Sequence, residues 1–222
     1  MKIVRVVDLS HTINASTQVY PGDPVAKMTV HSTIAKDGFN LLNLEMGSQT
    51  GTHVDAPYHF DEDTEKIDEL PIDRFVGTGR VIRVTGLAAR AEITWAMVEP
   101  QVQKLDGAHI VLINTGWSQH FGTDEYFNHP FLTAEACQNL LDLGVLVFGI
   151  DAINIDETPD EAHEGVGFPV HHLIAKKAGV ISENMTNLEA IDFENPLISL
   201  LPIKLEAADG APVRAVAMQA AI

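Results

Sequence analysis

The sequence predicts an α/β fold, a single domain built on a mixed β-sheet with helices packed against it. Three observations predict it. Strand-like runs outnumber helical ones; some of those runs are apolar throughout while others alternate; and no internal repeat, low-complexity tract or Ser/Gly linker divides the 222 residues. A chain of this length is ordinary for one large α/β domain, and 45% apolar residues suffice for a substantial core. The expected domain therefore spans residues 1–222.

In chain order, strands are expected at residues 3–8, 27–34, 40–46, 79–84, 109–114, 145–150, 180–183, 197–205 and 213–218, where apolar residues run continuously or alternate. Helical spacing is clearest at 134–143, with Thr133 placed to cap its start and Gly144 to end it. Further helices are expected at 94–104 and 170–178. Cys137 is the single cysteine, so no intramolecular disulfide can form, which suits a reducing compartment. It lies on the apolar side of the 134–143 helix and reads as a small core residue. The opening MKIVRVVDLS alternates like a strand and carries no long apolar signal region, and no window of about 18 apolar residues exists. Cytoplasmic localisation is the resulting expectation.

Acidic residues outnumber basic ones 31 to 14, a formal charge of −17. Such a surface repels a nucleic-acid duplex and an anionic membrane, so neither is expected as a partner. The excess itself reads as solubility or a saline habitat. A small molecule is the expected substrate.

Chemical potential concentrates in Gln49-Thr-Gly-Thr-His53-Val-Asp55-Ala-Pro-Tyr-His59-Phe60. In extended chain His53 and Asp55 share a face, about 6.6 Å apart at Cα, so an imidazole nitrogen and a carboxylate oxygen can converge on one cation. Gln49 would lie about 13 Å from His53 along a strand, too far to join them. A helical turn or a backbone bend at Gly47 and Gly51 would bring it back, and the sequence leaves both open. Pro57 stiffens the turn after Asp55. His59 follows it as the candidate acid/base, since an imidazole titrates near neutrality. A second cluster joins His171-His172 to Glu183, twelve residues after His171 at the apparent end of a strand, where a carboxylate needs a partner and a cation is one. Thr50, Thr52 and Asp151 are weaker candidates for supporting hydrogen bonds, and Trp117 for a pocket wall. His11 fits a functional role and a structural one at a strand end equally well, and His31, His109, His120, His129 and His163 have no ligand-like partner by spacing.

These residues together resemble the metal-dependent cyclase hydrolase family, which includes bacterial kynurenine formamidases and isatin hydrolases. The segments that carry the resemblance are DLSHTINASTQVYPGDP from Asp8, GTHVDAPYHF from Gly51, NTGWS from Asn114, FGIDAINID from Phe148 and HHLIAKKAGVISENMTNL from His171. The resemblance implies a mixed, partly barrel-like sheet with flanking helices, of the swivelling β/β/α type, in a homodimer or homotetramer. It implies His53, Asp55, His171 and Glu183 as metal ligands, Asp55 bridging where two ions bind, and His59 as the catalytic acid/base. Gln49 stands where formamidases carry a ligating histidine, and Tyr20 where they carry a pocket-lining tryptophan. With a neutral amide oxygen in the ligand set, one ion or two, Zn²⁺ or Mn²⁺, is expected. The implied activity is hydrolysis of a C–N amide bond by metal-activated water, in an aryl formamide such as N-formylkynurenine or in a cyclic amide. The alternatives are a lactone or ester hydrolase of the same family and a catalytically impaired metal-dependent binding protein. No G-x-S-x-G elbow supports a serine hydrolase.

Overall fold

The computed structural model describes residues 2–103, 105, 107–165 and 167–221. Its strands are β1 (Lys2–Asp8), β2 (Lys27–Ser32), β3 (Leu41–Glu45), β4 (His53–Asp55), β5 (Val76–Arg83), β6 (Glu92–Ile93), β7 (Ile110–Asn114), β8 (Phe131–Leu132), β9 (Val147–Ile150), β10 (Val180–Glu183), β11 (Leu197–Ser199), β12 (Gly210–Pro212) and β13 (Val216–Ala221). Its helices are α1 (Ile34–Asp37), α2 (Trp95–Val102), α3 (Ala134–Asp142) and α4 (Pro169–Ala175).

Nine strands form one sheet in the order β1-β13-β11-β5-β7-β9-β10-β4-β12. The neighbours β5, β7, β9 and β10 are parallel, and the flanking pairs are antiparallel. The expected mixed α/β sheet is therefore what forms. Its central strands are buried on both faces, which is why they read as continuous apolar runs. Side chains alternate between two cores. Ile110, Leu112, Val147 and Val180 enter one, and Val111, Ile113, Phe148 and Ile181 enter the other.

The first core also takes Val7 and Ala217 from one end of the sheet and Val54 and Ala211 from the other. Both ends can share a core only if the sheet curls, which gives the partly barrel-like form. The curl is held where the chain leaves β1: Ser10 bridges Met185, just past β10, and the Thr186 N–H donates to the Leu9 carbonyl. The second core lies under the helices, where Val98, Cys137, Leu140 and Ile174 are buried. Burial pushes the Cys137 thiol up to about 12, so it packs as an inert apolar group.

Several boundaries differ from the sequence reading for local reasons. The Thr133 hydroxyl accepts the Ala136 N–H and starts α3 as expected, and Gly144 follows its end at φ +90°. The helix expected at 94–104 forms as α2, with Lys104 outside the described residues. The strand expected at 27–34 stops at Ser32, where the chain turns into α1. The run at 197–205 pairs only through Ser199, because Pro202 cannot donate to a ladder and makes an isolated bridge to Val213 instead. The strand expected at 213–218 starts at Val216, since Val213 N–H donates to Thr52 O and Ala215 N–H to the Ser10 hydroxyl. Outside the main sheet, β2 pairs with β3 and β6 with β8. Among the described residues no helix is long and apolar enough to cross a membrane.

Candidate metal centre

The site is built on β4, a three-residue strand held between β10 and β12. Val54 points into the curled core, so His53 and Asp55 share the opposite side. Glu183 of β10 lies directly across the ladder from His53 and joins them. His171 enters from the first turn of α4. His53 Nε2 is 3.3 Å from Asp55 Oδ1 and 3.8 Å from Glu183 Oε2. His171 Nε2 is 3.7 Å from Asp55 Oδ2 and 3.5 Å from Glu183 Oε1. All four side chains are buried.

Each ligand-type side chain is fixed from behind. His53 Nδ1 lies 2.8 Å from the Gly51 carbonyl, which can only accept, so the proton sits on Nδ1 and the Nε2 lone pair faces inward. His171 Nδ1 lies 2.7 Å from Asp156 Oδ2 with the same consequence. Asp156 also accepts the N–H groups of Val170 and His171, tying the start of α4 to the imidazole it carries. Glu183 Oε1 accepts the Ile155 N–H at 2.7 Å. Asp55 differs: both its oxygens are buried and, among the described residues, neither has a hydrogen-bond partner, with only the His53 and His171 Nε2 atoms near. A buried carboxylate left this way costs roughly several kcal/mol unless a cation meets it. Ligand atoms of His53, Asp55 and Glu183 lie within 4.8 Å of one another. Two imidazoles with lone pairs turned inward and two carboxylates fit a divalent cation.

The electrostatics agree. Burial, then the Asp55 charge, push the Glu183 carboxyl up to about 7. Burial works against a charged imidazolium at His53 and His171. The adjacent carboxylates outweigh it, Asp55 at His53 and Asp156 with Asp55 at His171, raising them to about 9 and about 10. Burial would likewise raise Asp55, but His171 and His53 hold it below the usual carboxylate range. The pocket's field therefore favours positive charge at its centre, either a proton on each Nε2 or a cation bound by the Nε2 lone pairs in its place.

Gln49 returns to the site through a bend, not a helix. Thr50 N–H closes a turn onto Gly47 O, and Gly51 takes φ +70°. A Cβ at Gly51 would also sit 2.9 Å from Ile13. Gln49 Nε2 donates to Asp209 Oδ2 at 2.7 Å, and its buried Oε1 has no partner. His59 ends the 3₁₀ turn Pro57–His59, with Nδ1 3.1 Å from the same Asp209 oxygen. Burial would lower its imidazole, but Asp209 and the Asp55 charge raise it.

A cavity of about 240 Å³ opens above the cluster, lined by Gln49, His53, His59, His171 and Glu183 and walled by Tyr20, Phe60 and Phe168. The residues singled out by sequence, Tyr20, Gln49, His53, Asp55, His59, His171 and Glu183, are thus brought to one place. Trp117 packs with Tyr126 and Ile153 behind the cavity. Asp151 accepts from Thr115 and Gly116 and serves that turn instead of the site. Thr52 accepts the His11 N–H and donates to Asn184 O, fixing the bend before His53. Sequence reasoning missed Asp209, Asp156, Asp23 and Asn184. Asp156 carried a weak signal, since it closes the FGIDAINID segment.

A family model described as "Putative cyclase" matches residues 7–157. The chain belongs to this cyclase family. Among its cyclase relatives are kynurenine formamidases of Bacillus anthracis and Bacillus cereus, each 32% identical over 97% of this chain and 98% of theirs. Isatin hydrolase A from Labrenzia aggregata superposes with a TM-score of 0.86 at 26% identity, covering 96% of this chain and 93% of that one.

Proposed function

We propose that the chain is a metal-dependent hydrolase cleaving the C–N bond of a small aryl formamide such as N-formylkynurenine, or of a cyclic amide. The observation that carries this reading is Asp55, a buried carboxylate without a hydrogen bond among the described residues, lying beneath two inward-facing imidazoles that line an aromatic-walled cavity. The names of the relatives, a formamidase and an isatin hydrolase, support the bond class.

His53, Asp55, His171 and Glu183 would hold the ion, with Gln49 Oε1 as a neutral fifth donor. Imidazole, carboxylate and amide oxygen together suit Zn²⁺ or Mn²⁺, and the weak amide donor favours one ion over two. When bound, such an ion supplies a Lewis acid that acidifies water and polarises a carbonyl. Asp209 engages His59 Nδ1, which leaves Nε2 free to take a proton from the attacking water and return it to the leaving amine. Tyr20, Phe60 and Phe168 hold the aromatic ring and exclude bulk water. The buried lone cysteine and the charge of −17 support a cytoplasmic enzyme acting on small molecules, not on nucleic acid or at a membrane.

The test pairs metal content with turnover. Elemental analysis is expected to find about one Zn or Mn per chain, rising to about two in Gln49→His. His59→Ala should keep the metal and lose N-formylkynurenine hydrolysis by roughly 10²-fold or more. A protein that takes up neither Zn nor Mn, or a His59→Ala variant with undiminished turnover, would overturn the reading. A wild-type protein that binds ligand without turnover would be a binding protein instead.

A further inference from the structure

Asp23 is a cavity carboxylate that the reaction above does not use. Its N–H donates to Tyr20 O at 3.0 Å, closing the turn Tyr20-Pro-Gly-Asp23 with Gly22 at φ +101°. Proline second and a positive-φ glycine third fix this turn, so Tyr20 and Asp23 are presented to the cavity as one unit. Among the described residues the Asp23 side chain makes neither a hydrogen bond nor an ion pair. Burial raises its carboxyl, against the pull of His53 and His59.

Among the described residues Glu183 is the one other carboxylate that lines the cavity, and it faces the metal position with Asp55 beneath it. The neighbouring Asp209 is engaged by His59, Gln49 and Ser48. Among the described residues no lysine or arginine lines the cavity. A divalent ion at that position would balance Asp55 and Glu183, leaving Asp23 without an ion-pair partner of its own beside an aromatic wall.

We propose that Asp23 selects substrates by charge, taking an ammonium or N–H donor that the aromatic substrate carries outside its scissile amide and disfavouring a carboxylate there. This rests on the hydrolase reading above, and it concerns which substrates that site accepts.

The experiment compares three formanilides bearing 4-aminomethyl, 4-methyl or 4-carboxy groups, with wild-type protein and Asp23→Asn, both loaded with metal. Wild type should show kcat/KM for the ammonium substrate about tenfold or more above the methyl one, with the carboxylate lowest. In Asp23→Asn the ammonium-to-methyl ratio should fall to about one, with metal content unchanged. A wild type without this ratio, or a variant that retains it, overturns the proposal. So does loss of metal in the variant, which would make Asp23 a ligand. If none of the three is hydrolysed, the hydrolase reading has failed. Calorimetry with benzylammonium and benzyl alcohol then decides the charge preference. Tighter binding of the cation by wild type, lost in Asp23→Asn, supports it, and equal binding rejects it.

Discussion

Asp209 accepts from Ser48 Oγ at 2.7 Å and Gln49 Nε2 at 2.7 Å, and its second oxygen also meets His59 Nδ1 at 3.1 Å. The His59 contact above all, with those of Ser48 and Gln49, holds its carboxyl below the ordinary range, although burial works the other way. It is a positioning residue: it fixes which His59 nitrogen is free. Asp209→Asn is expected to lower kcat by roughly 10²-fold with KM and metal content little changed, because His53, His171 and Glu183 are held by Gly51, Asp156 and Ile155, and Gln49, which Asp209 does hold, is the weakest of the proposed donors. A fall in metal content matching the fall in kcat would assign Asp209 to metal retention instead. A second residue prediction concerns His129, buried between Pro130 O and the Thr158 hydroxyl, its imidazole lowered by burial to about 4. The unfolded chain protonates first, so its contribution to stability is complete above about pH 6.5 and lost progressively as pH falls toward 4. His11, also lowered to about 4, acts in the same direction. Tm of His129→Gln should depend less steeply on pH across that window than wild type; parallel curves would exclude the linkage. His53, Asp55 and His59 were legible in the sequence because they sit within one segment. Asp209 and Asp23 were not, because each reaches the site through a fold contact more than twenty residues distant in sequence.

At the scale of elements, the geometry of the site depends on two strands too short to show periodicity. β4 and β12 have three residues each, and neither could be read as a strand by alternation. β10 and α3 were readable, the first as an apolar run ending in Glu183, the second by its spacing and Thr133 cap. Gly210 of β12 shows what the short strands do. It pairs with Asp55, and a Cβ there would lie 2.5 Å from Val54 O and 2.7 Å from Gln49 Nε2. The backbone oxygen cannot yield cheaply, so Gly210→Ala must push β12 off β4 and displace the Gln49 amide. We expect a loss of about 1–3 kcal/mol in denaturant stability together with reduced turnover. Unchanged stability and turnover would show that the contact relaxes without moving Gln49.

At the scale of the molecule, the curl of the sheet was beyond local sequence signals, since it is held where Ser10 bridges Met185 and Leu9 accepts from Thr186, residues far apart in the chain; the barrel-like form was legible only through family resemblance. The expected assembly rests on the same resemblance. Among the described residues the β2–β3 hairpin pairs only within itself, and a lone two-stranded hairpin is marginally stable in water. It and the adjoining turn also expose Val30 at 68%, Ile34 at 65%, Phe39 at 55% and Leu44 at 52%. Apolar surface concentrated on one projecting element marks an interface. A second copy of this chain is the occupant we expect, in an isologous contact of the kind most homodimers use. Sedimentation at micromolar concentration should then report a dimer or tetramer, and Val30→Lys with Leu44→Lys should yield a monomer with unchanged circular dichroism. A monomeric wild type, or a double variant that still assembles, would leave the hairpin without this role. If the monomer also loses turnover while keeping its metal, assembly would be part of completing the cavity and not only of stabilising the arm.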